Sequence, residues 1–215
     1  MCPNICQAIV RVAKCVYLTD SSWCASDTQK ASALLALAKQ HNTTPSIKTT
    51  IWAGEASCLV RQGKPRAALK LLRRCSAALK SSGANNIERA NGWLNESAAM
   101  SVAGDHAGAL GCAEKAAAML HEDLEKFEDS ATVAGFFQRA LITSAWLDTA
   151  CLLCMSLYGA SMAHLAQGQR APAVAALQEA VAVASKWLGP ERPVSRVLAT
   201  VRDREVIETL ATKQL

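Results

Sequence analysis

The stretch Trp52–Cys75, WAGEASCLVRQGKPRAALKLLRRC, carries six basic residues against one acid and has Gly-Lys-Pro near its middle. Gly-Lys invites a phosphate-loop reading, but the preceding strand and the spaced glycines of that loop are missing, so nucleotide binding is excluded. A helical hairpin accounts for more of the residues. Gly63 stands where a left-handed residue lets the chain reverse without a Cβ clash, and Pro65 suits the first turn of a following helix.

The same hairpin recurs. Trp52, Gly63, Ala68 and Cys75 align with Trp93, Gly104, Ala109 and Ala116, all four at one constant displacement along the chain. Leu157, Gly168, Ala173 and Ala180 repeat the internal spacing, and the turns RQGKPRAAL, VAGDHAGAL and AQGQRAPAV agree. A large residue fills the groove between two helices, Gly ends the first helix, and Ala sits where the second presses closest. Asp105 is placed to cap the second helix of the second copy. A register kept through three copies marks an array of repeats.

Composition agrees. Of the 215 residues 51% are apolar, with only 3 Phe and 2 Tyr, and Ala and Leu dominate. These are the strongest helix formers, so the chain is expected to be all-α. A chain of this length buries about 70% of its unfolded surface and needs no staples. The nine cysteines are scattered through helical segments, which fits a reducing compartment rather than a disulfide framework. The expected location is cytoplasmic. The N-terminal stretch carries Arg11 and Lys14 with no acid before Asp20, which leaves a mitochondrial leader as the alternative, although it is poor in Arg and Ser. No apolar run reaches the ~18 residues of a membrane span.

The Trp or Leu, turn Gly and paired small residues at these spacings resemble the tetratricopeptide repeat. The long step between copies and the segment KWLGPERPVSRVLATV resemble the longer repeats of kinesin light chains. The resemblance implies a tetratricopeptide-like α-solenoid of antiparallel hairpins, wound as a right-handed superhelix whose concave face binds peptides or partner helices. Three parts follow. Residues 1–46 form an atypical N-terminal hairpin of helices at 4–18 and 27–41, with Ser26 and Gln29 as a capping box. Residues 47–192 form the array, with an insertion around 127–150, because the step from Gly104 to Gly168 exceeds that from Gly63 to Gly104. Residues 193–215 form a C-terminal capping helix. Within the insertion region, 129–149 and 151–167 read as two helices or as one long or kinked one.

Register along the first helices nominates a partner-binding groove of Ser57, Arg61, Asn91, Asn95, Tyr158 and Met162, with Gly54, Ala98 and Gly159 beside them. The paired Lys that tetratricopeptide domains use to clamp acidic C-termini does not accompany Asn91 and Asn95. A second surface is the basic stripe Arg66, Lys70, Arg73 and Arg74, which shares one helix face opposite Ala68, Leu71, Leu72, Cys75 and Leu79. This is read as a solvated outer face, or as a dock for an acidic protein surface. RNA or anionic lipid is the weaker alternative, because no aromatic is interleaved for base stacking.

Cys151 and Cys154, and Cys2 and Cys6, have metal-like spacing, but a closed zinc site needs four ligands and a turn, so no metal is expected. The four histidines are dispersed and yield no nucleophile–base pair. The expected function is a non-enzymatic adaptor without a cofactor, binding a peptide or helix of a protein partner. The alternative is a structural subunit of a large, possibly RNA-containing, assembly.

Overall fold

The computed structural model describes residues 25–41, 45–133 and 136–201, and side chains over 28–40, 47–128 and 146–201. The expected helix at 4–18, the Cys2–Cys6 pair and residues 202–215 lie outside the described residues. The described residues contain helices and turns and no strand. The helices are α1 (Ala25–His41), α2 (Pro45–Arg61), α3 (Pro65–Ser81), α4 (Asn86–Val102), α5 (His106–Val133), α6 (Phe136–Ala166) and α7 (Arg170–Val183). A π-turn, Ala184–Leu188, continues α7, and 193–201 form α8. Because α1 starts at Ala25, Ser26 stands inside its first turn rather than ahead of it.

The contacts divide the chain into two compact units. The first comprises residues up to Ala84 with Ala98–Gly104, and the second Asn85–Ser97 with everything from Asp105. In the first unit α2 packs on α1 and on α3. In the second, α6 packs on α5 and on α7.

The turn glycines behave as their register requires. Gly63, Gly104 and Gly168 have φ of 70°, 83° and 73°. After Gly63 the Lys64 amide donates back to the Leu59 carbonyl at 2.9 Å, and after Gly168 the Gln169 amide donates to the His164 carbonyl at 2.9 Å. These six-to-one bonds satisfy carbonyls that a helix end leaves open. Pro65 begins α3, and the Asp105 carboxylate accepts from the Gly108 amide at 2.9 Å, capping α5. Helix α4 has a reciprocal box that the repeat spacing does not single out. Asn85 Oδ1 accepts from the Glu88 amide at 2.8 Å while Glu88 Oε2 accepts from the Asn85 amide at 3.3 Å.

Each hairpin closes through two small-residue crossings, one on either side of a helix turn pair. At the first, Ala56 packs with Ala68 and Ser97 lies against Ala109, and the residues at the same register in the third hairpin, Ser161 and Ala173, are likewise buried. Ser97 Oγ donates to the Ala109 carbonyl at 2.8 Å, so the hydroxyl is satisfied by the backbone it lies against. At the second crossing Cys75 Sγ donates to the Thr49 carbonyl at 3.4 Å, and Ala90 and Ala116 are both fully buried. In the third hairpin the thiol changes sides, and Cys154 Sγ donates to the Ala180 carbonyl at 3.4 Å. One small residue per helix satisfies the geometry, and which of the two helices carries sulfur does not matter.

The insertion does not create a separate element. Helix α5 has 28 residues against 17 in α3, and α6 has 31 against 17 in α4. The interval before α6 shrinks to 134–135, where that before α4 covers 82–85. Together these changes make up the whole excess of the Gly104-to-Gly168 step. Residue 150 lies inside α6, which is the one-helix alternative of the sequence reading, and α5 runs on through 127–128 into the insertion. Neither stretch holds a Pro to stop a helix.

The third hairpin departs in one more respect. The interval from Gly168 to Gly189 is one residue longer than that from Gly63 to Gly83. The additional residue is absorbed by the π-turn, closed by the Gly189 amide on the Ala184 carbonyl at 3.1 Å. There Trp187 meets Trp146 edge-on at 5.5 Å between ring centroids, and Phe127 meets Trp146 at 6.1 Å. These rings join the core of the second unit, around Leu120, Leu124, Leu153, Leu157 and Leu177, to which Leu198 of α8 adds. Trp146–Ala166 is long and apolar enough to cross a membrane by length and composition, yet half of it is buried in this unit, the pattern of a core helix.

Candidate interaction site

The first helices of the repeats place four register rows on view. The row of Gly54, Asn95 and Gly159 faces neighbouring helices. A Cβ on Gly54 would stand 3.0 Å from both Leu35 methyls of α1, and one on Gly159 would lie 3.9 Å from Ala113 Cβ and 4.0 Å from Ser97 Oγ. Asn95 is half-buried. This row belongs to helix contact, with the close approach at Gly54 and ordinary contact distance at Gly159.

The other three rows reach solvent. Asn91 shares a row with Thr50 and Met155. Ser57 shares one with Ala98 and Met162, and Arg61 one with Val102 and Ala166. Ser57 is half-buried and its hydroxyl is turned back to the Ala53 carbonyl at 3.0 Å. Arg61 lines an open cleft in the first unit with Thr28, Gln29, Ser32 and Ala36 of α1. Asn91 is half-buried, as is Tyr158, which lies against the core of the second unit. Val102 is 54% exposed, Met155 41% and Met162 43%. Register alone did not nominate Val102 and Met155, although both stand at repeat spacing from residues that it did, Arg61 and Asn91.

On α3 the residues Ala68, Leu72, Cys75 and Leu79 are buried, and Arg66, Lys70, Arg73, Arg74 and Lys80 are exposed. Arg74 does not share the surroundings of the others. Its guanidinium lies over the Trp52 ring, 5.0 Å from the centroid. One repeat further on, Lys115 Nζ lies over Trp93 at 5.0 Å. In the third hairpin the ring becomes Leu157 and the cation Glu179, whose carboxylate meets His121 Nε2 at 2.9 Å. Ring and cation are thus retained or lost together, as expected if the pair is one stabilising contact. A double-mutant cycle with Trp52→Leu and Arg74→Ala should return a coupling of about 0.5–1 kcal/mol in urea unfolding. A coupling near zero would leave only side-by-side packing.

The described cysteines are packing residues. Cys58, Cys75, Cys112, Cys151 and Cys154 are free thiols. Burial pushes Cys58, Cys112 and Cys151 up from the ordinary thiol range, and pushes Cys154 up to about 12 with the neighbouring Cys151 adding to it. Protonated, buried sulfur is a poor nucleophile and a poor metal ligand. Among the described residues no group of three or more His, Cys, Asp or Glu converges on a common point.

No family model matches the chain, and no curated protein matches it. Solved structures do, among them two of a Podosopora anserina protein assigned as a kinesin light chain with nearly identical TPR-like repeats. One, a single-residue variant, aligns with TM-score 0.61 at 16% identity and the other with 0.61 at 15%, each over 99% of this chain and 90% of that one. The fold is a TPR-like helical repeat. At this identity the likeness establishes the fold of the TPR-like chain and leaves its ligands to its own residues.

Proposed function

We propose that the chain is a non-enzymatic interaction scaffold that binds a peptide or helix of a protein partner along the solvent-facing rows of its first helices. The observation that carries this is the placement of Met155 and Met162 on α6 of the second unit. Both are large apolar side chains left exposed on rows that the repeat register turns to solvent. Methionine there offers flexible, polarisable contact area that adapts to an apolar ligand. Asn91 supplies a polar group on the same rows. Nothing in this reading calls for a cofactor, and the free thiols support a reducing compartment, the cytoplasm, as its setting.

The test is to select peptides against the whole chain by display and measure the affinity of the best one. Met155→Glu with Met162→Glu should weaken it by at least about tenfold, the cost of removing apolar anchors and burying charge in their place. A selected peptide indifferent to this pair would refute the reading.

A second reading, docking as a structural subunit through the basic face of α3, is favoured by Arg66, Lys70 and Arg73. All three are exposed, and the single carboxylate of the packed helix α2, Glu55, is engaged by Lys39 at 3.1 Å.

A further inference from the structure

Building on the second reading, and resting on it, we propose that the outer face of α3 is a seam for an acidic helix of a protein partner, formed by Arg66, Lys70, Arg73 and Lys80 rather than by Arg74.

The membership follows from geometry. On a helix turning about 100° per residue, Arg66, Lys70, Arg73 and Lys80 fall within an arc of about 80°. Arg74 lies about 40° beyond that arc and is drawn over Trp52, away from the row. The retained residues, with Ala77 between them, are spaced four, three, four and three. That alternation has the average heptad period, about 3.5, which keeps one straight seam facing another helix. Ala77 is exposed and small, so a partner backbone can approach at the middle of the row. The row is about 21 Å long, the length of four turns.

Among the described residues no carboxylate is paired with the row. From Ala56 to Ile87 the chain has no acid, and the Glu55 carboxylate is held by Lys39. The equivalent helix of the second hairpin behaves otherwise. On α5 Glu122 pairs with Lys126 at 2.6 Å, and Glu128 pairs with Lys186. At the repeat spacing of the row α5 carries Ala107, Gly111, Glu114, Ala118 and His121, so the cationic row is confined to α3 and is not a demand of the hairpin. Four like charges at adjacent turns repel, and a row of carboxylates at matching spacing relieves that repulsion while pairing each cation.

A protein helix fits better than a nucleic acid. Trp52, the aromatic on the packed helix, has its face covered by Arg74, so it offers no ring for base stacking beside the row. A straight seam also matches a helix better than a phosphate backbone, which winds away.

The experiment uses the whole chain and three fluorescent probes: a helix-forming peptide about six turns long with Glu at four-three spacing, its Gln counterpart, and a single-stranded RNA of similar length. Affinities are read by anisotropy from low to high salt. The Glu peptide should bind, weaken steeply with salt, and exceed the Gln peptide by at least about tenfold. Arg66→Glu with Lys70→Glu and Arg73→Glu should abolish binding, and Lys80→Glu should weaken it. Arg74→Ala should leave it within about twofold. Circular dichroism confirms folding of each variant, and the Gln substitutions at the same positions replace any that unfold. RNA binding that depends on these residues without peptide binding would overturn the acidic-helix assignment and leave docking through this face standing. A salt-sensitive dimer of the chain, dissolved by the triple variant and blind to the Glu peptide, would put a second copy on the face and also overturn it. Indifference of all probes to the row would sink both the inference and the reading under it.

Discussion

Leu153→Ala should lower the stability of the second unit by about 3–5 kcal/mol, the largest effect expected from one substitution in this chain. Leu153 is fully buried within the core that also holds Leu120, Leu124, Leu157 and Leu177. Truncation removes the transfer free energy of its methyl groups and leaves a cavity among side chains anchored on helices that cannot all close on it. The same register position is Lys48 in the first hairpin and Arg89 in the second, both exposed. A position that faces water in two repeats is thus core in the third, where α5 and α6 are longest. Urea unfolding followed by circular dichroism would give the number. A loss no larger than that of deleting a single buried methyl, about 1.5 kcal/mol at most, would mean that the lengthened helices collapse onto the gap. The core there would then be loosely specified. Leu152→Ala, at a half-buried neighbour, should cost clearly less.

The second large effect is alkaline. Cys154, held up to about 12 by burial, stays protonated in the folded chain where an unfolded thiol, with its ordinary value of 9.0, ionises. Below pH 9 neither state loses the proton, and the full stability is present. Between about 9 and 12 the unfolded state binds fewer protons, so stability falls as pH rises, by about 1.4 kcal/mol per unit from this group alone. Cys58, Cys112 and Cys151 are shifted upward by burial as well and act in the same direction. Unfolding midpoints in reductant should be nearly level from about pH 7 to 8.5 and then drop. Cys154→Ala, which the Ala90 of the second hairpin shows to be compatible with this crossing, should make the decline shallower by about one proton's worth. A midpoint that stays level to about pH 10.5 would mean that Cys154 reaches water and that its packing against Ala180 is not maintained.

The adaptor reading and the α3 seam make separate demands on the molecule. One depends on Met155 and Met162 of α6, the other on Arg66, Lys70, Arg73 and Lys80 of α3. Substitutions in either set leave the other chemically intact, so a partner lost with one and kept with the other locates its contact directly.

Much of the fold was legible before any coordinates. Gly63, Gly104 and Gly168 had to take positive φ for the chain to reverse, and Ala68, Ala109 and Ala173 had to be small for the helices to approach. Both are local steric demands that leave a residue type at a fixed interval, so three copies sufficed to read them. The basic face of α3 was legible for the same reason, since helical periodicity alone puts Arg66, Lys70 and Arg73 together. For the solvent-facing rows, register nominated Asn91 and Met162, while Met155 and Val102 needed the observed exposure to stand out.

What tertiary structure alone decided concerns partners across helices. Whether Arg74 joins the basic row or covers Trp52 depends on a ring from another helix, and no spacing along α3 encodes it. The same holds for the thiols, since Cys75 and Cys154 occupy opposite sides of equivalent crossings and only the crossing geometry relates them. The edge-on meeting of Trp187, on the π-turn, with Trp146 likewise joins residues distant in the chain. Sequence by itself determined the repeat, because each of its rules is local and recurs. Structure decided which side chains are spent on holding the repeats together and which are left for a partner, because that division is made by burial against residues far away in the chain.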